Sequence, residues 1–320
     1  MQFCTFIKID IMAETRRMHY VPRTYLKYFA NERNGEFYIH ALNKETKKIF
    51  SPNINKICLE TDLYLLEGET EDERQILEKM YNNLYERDYA NLYKILTNDK
   101  RETVTMQERY DIIGFVVSMF YRNNSWNTGY KKLIDETYAK AYYLTKESGQ
   151  DKFLFGEQEI SIIGKTLDEL QSESQAKDRQ LMALITAQKI FELIRLRILN
   201  DVVTIVKTKH ELVTSDNPVK FRGENRNQRP IPMDPTNTLS IPIDKNHLLQ
   251  LRPWGHELDR TMLGRMSEFS FVSALTAECN NQFQYGQTGR FLLGTETGIK
   301  NFQPDLSGET FKKLLREKLK

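Results

Sequence analysis

The stretch His19-Tyr20-Val21-Pro22-Arg23-Thr24-Tyr25-Leu26-Lys27-Tyr28-Phe29-Ala30 sets a histidine ahead of a helix start and an aromatic face behind it. Proline fixes its own φ and has no amide hydrogen, so Pro22 fits the first position of a short helix and holds Val21 extended before it. Tyr25, Leu26 and Phe29 then share one face, and Asn31 with Asn34-Gly35 reads as the stop. Beyond it Glu36 to Leu42 has the texture of a strand, Asn43 to Lys47 that of a turn, and Lys48-Ile49-Phe50 that of the returning strand, which predicts a β-hairpin. Strand signals beside an aromatic helix point to an α+β fold.

The middle of the chain is helical in pattern. Asp72 and Glu73 open a long helix whose stripe of Leu77, Met80, Tyr81, Leu84, Leu92 and Ile95 repeats every three to four residues. Thr105 and Glu108 form a capping-box pattern for a second helix, apolar on nearly every side up to Tyr121 and therefore central. Tyr138 to Leu144 and Leu181 to Leu199 mark two more. After Asn200 the texture changes to β-branched runs at Val202 to Val206 and Glu211 to Thr214, followed by Thr238 to Ile243 and His247 to Leu251. The expected organisation is an extension over 1–18 and a single α+β domain over 19–307. That domain has a helical central body at about 72–200 and a mixed or antiparallel sheet at about 201–294. A C-terminal amphipathic helix follows over 308–320.

Bulk properties narrow the function. The chain has 320 residues, 40% of them hydrophobic and 11% aromatic, enough for a sizeable core. Lys plus Arg number 46 against 44 for Asp plus Glu, so a net charge of +2 gives no global pull toward nucleic acid or an anionic membrane. Cys4, Cys58 and Cys279 are odd in number and far apart, which fits a reducing, cytoplasmic setting and excludes a four-thiolate zinc site. The most apolar run, Ile112 to Tyr121, is about half a membrane span, and the start lacks the basic region and cleavage site of a signal peptide.

Chemistry-bearing residues gather at the distinctive turns. His19 stands before a helix N-terminus, whose dipole would keep the imidazole neutral, a state suited to a general base or metal ligand; the ordinary reading is a packing or capping histidine. Thr214-Ser215-Asp216-Asn217-Pro218 lies where a strand leaves for a turn. Asp216 there is either an Asx-turn carboxylate or the group that orients His19, holds a cation or grips a substrate, with Ser215 as nucleophile. The turn lacks the glycines of a nucleophile elbow. Arg122 follows the apolar helix and must be paired, either in a structural salt bridge or as a clamp for phosphate, which Arg23 would join. Asn280 and Asn281, with Gln282 and Gln284, are able to line a polar pocket that reads base edges or a sugar, or are caps and surface. Lys220, Arg222, Arg226 and Arg229 face Glu224 alone in a Gly- and Pro-rich loop, a solvated loop or an anion-binding lid.

Sharper motifs fail on context. Glu45-Thr46-Lys47 has nuclease spacing but sits in a turn; Arg33 and His40 have ribonuclease spacing but fall on a turn and a strand. His256-Glu257 lacks a second histidine, and neither a phosphate loop nor a dinucleotide-binding glycine turn occurs.

The opening His-Tyr-Val-Pro with Tyr25, Leu26, Phe29 and Ala30, the hairpin turn with Lys44 and Thr46, Glu60 and Tyr64, Arg122, Thr214 to Pro218, Ile241-Pro242-Ile243 and Asn280-Asn281 together resemble a bacterial family, domain of unknown function 4238. The likeness runs from His19 to about Gly294. It implies a soluble bacterial or phage-associated protein without an established reaction, and a phage-defence or mobile-element role by association alone.

Two functions from different classes stand. One is a hydrolase, a nuclease or nucleotide-cleaving effector, with catalytic His19, Asp216, Asn217 and Arg122, substrate contacts from Arg23, Ser215 and Asn280, and room for a divalent metal. The other is a non-catalytic sensor or protein-interaction module in which the same turns lock the β part onto the helical body. Nucleic acid, a nucleotide or a protein are the partners considered, and no membrane. Convergence of His19 and Asp216 separates the two.

Overall fold

The computed structural model describes residues 17–61, 63–66, 68–155, 158–223, 233–254, 259–269 and 271–304. The expected extension up to residue 16 and the amphipathic helix at 308–320 lie outside them. Arg17 and Met18, expected in the extension, already belong to strand β1 (Arg17–His19), and Met18 is buried. Pro22, at φ −59° and ψ 139°, caps rather than enters α1 (Arg23–Leu26), which tightens into a 3₁₀ turn at Lys27–Phe29. Tyr25, Leu26 and Phe29 are all buried.

Asn34-Gly35 turns out to be a hairpin turn. With φ of 54° and 79° the two residues join β2 (Asn31–Arg33) to β3 (Glu36–Tyr38), the left-handed pair that a two-residue hairpin requires. The expected strand at 36–42 is split, because β4 (His40–Asn43) leaves for another sheet, where it pairs with β5 (Ile49–Phe50) around the Asn43 to Lys47 turn. Asn43 Oδ1 accepts from the amides of Glu45 and Thr46, which shapes that turn. β6 (Leu59–Thr61) pairs with β1.

The long helix expected from residue 72 is broken into α2 (Glu71–Arg74), α3 (Ile76–Tyr81), a π turn at Asn82–Glu86 and α4 (Tyr89–Thr97). Its apolar stripe still serves one purpose: Tyr81, Leu92 and Ile95 join the same core as α5 (Met106–Tyr121). The Thr105–Glu108 capping box forms as predicted, and Thr70–Glu73 and Thr166–Glu169 repeat it. α6 (Asn124–Glu147) and α7 (Leu167–Asn200) are longer than their patterns implied, and a hairpin of β7 (Lys152–Phe155) and β8 (Gln158–Ser161) separates them.

β9 (Asp201–Lys207) is buried on both faces, as its Val-Val-Thr-Ile-Val run requires. After β10 (Thr214–Ser215) and β11 (Lys220–Arg222), strands β12 (Thr238–Pro242), β13 (His247–Pro253) and β14 (Leu263–Met266) complete a mixed sheet in the order β11-β12-β13-β9-β14. Only the β14–β9 pair is parallel in this sheet. Leu239, Ile241, Leu249, Leu251 and Val203 turn one face toward α5 and the C-terminal half of α7. There two buried guanidiniums tie helix to strand: Arg197 reaches the Asp201 carboxylate at 3.3 Å and Asn237 O at 2.6 Å, and Arg109 donates to the Ile198 and Asp201 carbonyls. α8 (Phe271–Gln287) leads to β15 (Phe291–Gly294) and α9 (Glu296–Asn301). β15 closes a second sheet, β10-β15-β4-β5, between the β4–β5 hairpin and the C-terminal region.

Candidate functional site

His19 ends β1 opposite Leu59, and its Nε2 lies 3.3 Å from the carbonyl of Ile54. A carbonyl only accepts, so Nε2 carries the hydrogen. Burial, then the nearby Arg23 charge, pushes the imidazole down to about 4, while the bond to Ile54 works the other way. The expected neutral histidine is there, but burial rather than a helix dipole makes it so; α1 has four residues and no dipole to speak of.

Arg122 caps α5 and is 1% exposed. One Nη donates to His19 O at 2.6 Å and the other pairs with Glu86. Its guanidinium sits 4.8 Å from the Tyr81 ring centre and 5.5 Å from that of Tyr64, whose hydroxyl donates to Arg122 O at 2.5 Å. The arginine is thus enclosed by one carboxylate, one carbonyl and two rings, the salt-bridge alternative of the sequence reading. Arg23 stands at the surface and donates to Asn55 Oδ1 at 3.0 Å. Sequence reasoning missed Glu78. It sits on the polar side of the α3 stripe, its Oε2 is buried without a hydrogen bond, and burial raises its carboxyl against the pull of Arg122.

The second motif is held from two sides. Asp216 Oδ1 accepts from Thr288 Oγ1 at 2.5 Å and Gly289 N at 2.9 Å; Oδ2 accepts from Arg290 N at 2.6 Å and Phe291 N at 3.0 Å. A carboxylate offers about four lone-pair directions, and this one has filled them. From the other side, α8 spends its amides on the backbone that leads into and out of the turn. Asn281 bonds Val213 N and Glu211 O, Asn280 donates to Val213 O, Gln284 donates to Pro218 O and accepts from Ser215 Oγ at 2.6 Å, and Gln287 donates to the carbonyls of Asn217 and Val219. These amides bond their own chain. Asn280 Oδ1 and Asn217 Oδ1 are buried with no hydrogen bond. Ser215 is fully buried and its hydroxyl serves Gln284 and the Asn217 amide, with no base beside it.

The two motifs do meet, through other residues than expected. Tyr25, fully buried, donates to Pro242 O at 2.7 Å and lies 2.6 Å from Thr214 Oγ1, which is left to donate to it. His19 and Asp216 share no hydrogen bond or ion pair; Tyr20 and Cys58, both buried, feel the Asp216 charge instead. Lys44, from the hairpin turn, donates to the carbonyls of Gly286 and Thr288 and so pins the end of α8. Of the cationic loop, Lys220 is a buried β11 residue whose ammonium stands 4.9 Å over the Phe283 ring and is pushed down to about 6 by burial and by Lys44. Arg222 also lies on β11, and Glu224, Arg226 and Arg229 fall outside the described residues. Among the described residues no group of three or more His, Cys, Asp or Glu is placed to hold a metal ion, and no helix is long and apolar enough to cross a membrane.

Every position that carried the family resemblance and is traced above therefore has a structural partner within the chain. No curated protein and no solved structure matches this sequence. The model of one family, described as "Protein of unknown function (DUF4238)", matches residues 17–293, and the chain belongs to that family.

Proposed function

We propose that the protein is a non-catalytic recognition module, of the sensor or interaction type, in which the two motifs are joints. The observation that carries this reading is the Asp216 carboxylate: four donors from residues 288–291 occupy it, so it has no lone pair left to orient His19 or to bind a cation. Ser215 and Arg122 support it too, the hydroxyl of one and both Nη groups of the other being bonded to neighbours inside the fold. A place in a phage-defence or mobile-element system follows from the family resemblance alone and is part of the proposal.

A hydrolase, nuclease or nucleotide-cleaving, is the second reading. One observation favours it: a neutral His19 shares its surroundings with Arg23 and Arg122, and with Glu78, whose carboxyl is raised and incompletely bonded. Expression of wild type beside His19→Ala and Asp216→Ala separates the two, with growth, nucleic-acid integrity and thermal melting recorded for each. We expect intact RNA and DNA in all three. We also expect Asp216→Ala to melt lower, by about 2–4 °C for each kcal/mol, with roughly 1–3 kcal/mol at stake for the donors it strands. Cleavage by the wild type that a well-folded His19→Ala loses would instead establish the hydrolase.

A further inference from the structure

The second face of the five-stranded sheet changes character along its strands. Side chains alternate across a strand, so Val206, Leu248 and Met266 share a face with Gln250, Arg252, Ser240, Thr238 and Arg222. At the apolar end Val206, Leu248 and Met266 pack with Ala277 of α8. At the polar end no such packing closes the gap, and a cleft of about 450 Å³ opens between sheet and helix. Its floor is Thr238, Ser240, Gln250 and Arg252, its β11 side is Arg222 with Gly223, and its α8 wall is Val272 and Thr276.

The charge of this cleft is one-sided. Among the described residues Arg222 and Arg252 are its only ionised lining groups, and no described Asp or Glu lines it. Neither arginine has an ion pair or hydrogen bond with another described residue, whereas Arg101, Arg109, Arg122, Arg197 and Arg265 are all engaged. Thr238, paired with Arg222 on β11, separates the two strands that carry the arginines, so their backbones stand about 10 Å apart, two strand spacings. The side chains between them, Thr238, Ser240, Gln250 and Thr276, all have hydrogens to donate.

We propose that this cleft binds a phosphorylated small molecule, with the phosphate between Arg222 and Arg252 and the organic part against Val272, Met266 and Pro253. The proposal rests on the recognition reading above and supplies its ligand class. Guanidinium forks match phosphate oxygens with paired hydrogen bonds, and the hydroxyls add donors for the third oxygen. The volume of this half-open cleft lies in the range of small-molecule sites, about 300–1,000 Å³, and a net charge of +2 gives no extended field for a polyanion.

Calorimetric titration with AMP, inorganic phosphate, adenosine and succinate tests it on the whole chain, beside Arg222→Gln, Arg252→Gln, their double variant and the cleft-filling Thr276→Trp, each checked by melting. AMP and phosphate should bind and adenosine should not. Each glutamine variant should weaken AMP about 10- to 100-fold at unchanged melting temperature, the loss expected for one charge-assisted contact. Thr276→Trp should exclude AMP while leaving both arginines in place. No heat from AMP or phosphate, binding retained by the double variant, or succinate bound as well as phosphate would overturn the assignment. AMP recovered unchanged keeps the non-catalytic reading; AMP bound through the arginines and then cleaved would keep the ligand and end that reading.

Discussion

His19 shows how burial, more than a partner, sets the state of a side chain in this fold. Its folded value of about 4 lies below the ordinary 6.5, so the native state resists taking a proton that the unfolded chain accepts. The stabilisation is whole above pH 6.5 and drains away as pH falls toward 4. Chemical denaturation at pH 7, 6, 5 and 4 should therefore show wild type losing stability faster than His19→Gln over that interval, and parallel curves would count against a half-buried neutral imidazole. Asp216 teaches a related lesson about legibility. The sequence marked it as the head of an Asx-like turn, and the carboxylate does hold backbone amides, but they are 73 to 75 positions further on. Local pattern reveals that an aspartate wants donors; it has no means of saying which strand brings them. Glu78 escaped notice for the same reason, since its neighbours come from other segments of the chain.

At the scale of elements, the aromatic helix α1 is joined to the C-terminal sheets by one phenol. Tyr25 links the first motif to Thr214 of the second and to Pro242 at the end of β12. Tyr25→Phe keeps the ring packed at a tilt against Phe29, Tyr89 and Phe115 but strands a buried hydroxyl and a buried carbonyl, at a cost of about 1–3 kcal/mol. Thr214→Val alone should cost less. The double variant should fall short of the sum, giving a coupling of about 0.5–3 kcal/mol in denaturant melts, whereas full additivity would deny the contact. Elements with strong local signals were readable: the Thr105–Glu108 box, the buried run of β9, the hairpin around Asn43 to Lys47. The Asn34-Gly35 hairpin was misread as a helix stop because glycine after asparagine suits both, and only the pairing of Asn31 with Tyr38 decides. β7 and β8 escape the pattern because Leu154, exposed within β7, and Ile163, exposed just after β8, blur the alternation.

Across the whole molecule, burial is uneven. One apolar cluster takes residues from Met18 to Leu293, and from α7 it includes Ile190, Leu193 and Ile194 but nothing N-terminal to them. α6, the β7–β8 hairpin and α7 up to residue 189 form an arm that buries Tyr138, Tyr142, Leu170 and Ala183 but leaves Leu133, Tyr143, Leu144, Leu154 and Leu184 more than half exposed among its described side chains. Few buried contacts mean a low cost of local opening. Amide exchange should be fast in the α6 and β7–β8 segments and slow in α5, β9 and β13; equal protection would show the arm to be held by something other than its own packing. The second sheet has a different consequence, one of timing. β4, near the start, pairs with β15, whose residues 291–294 come about 250 positions later. At about 5–20 residues per second, a ribosome needs roughly 12–50 s to supply that strand. Throughout that interval the β4 edge of the β4–β5 hairpin has no strand beside it, and its unpaired backbone groups are open to mispairing.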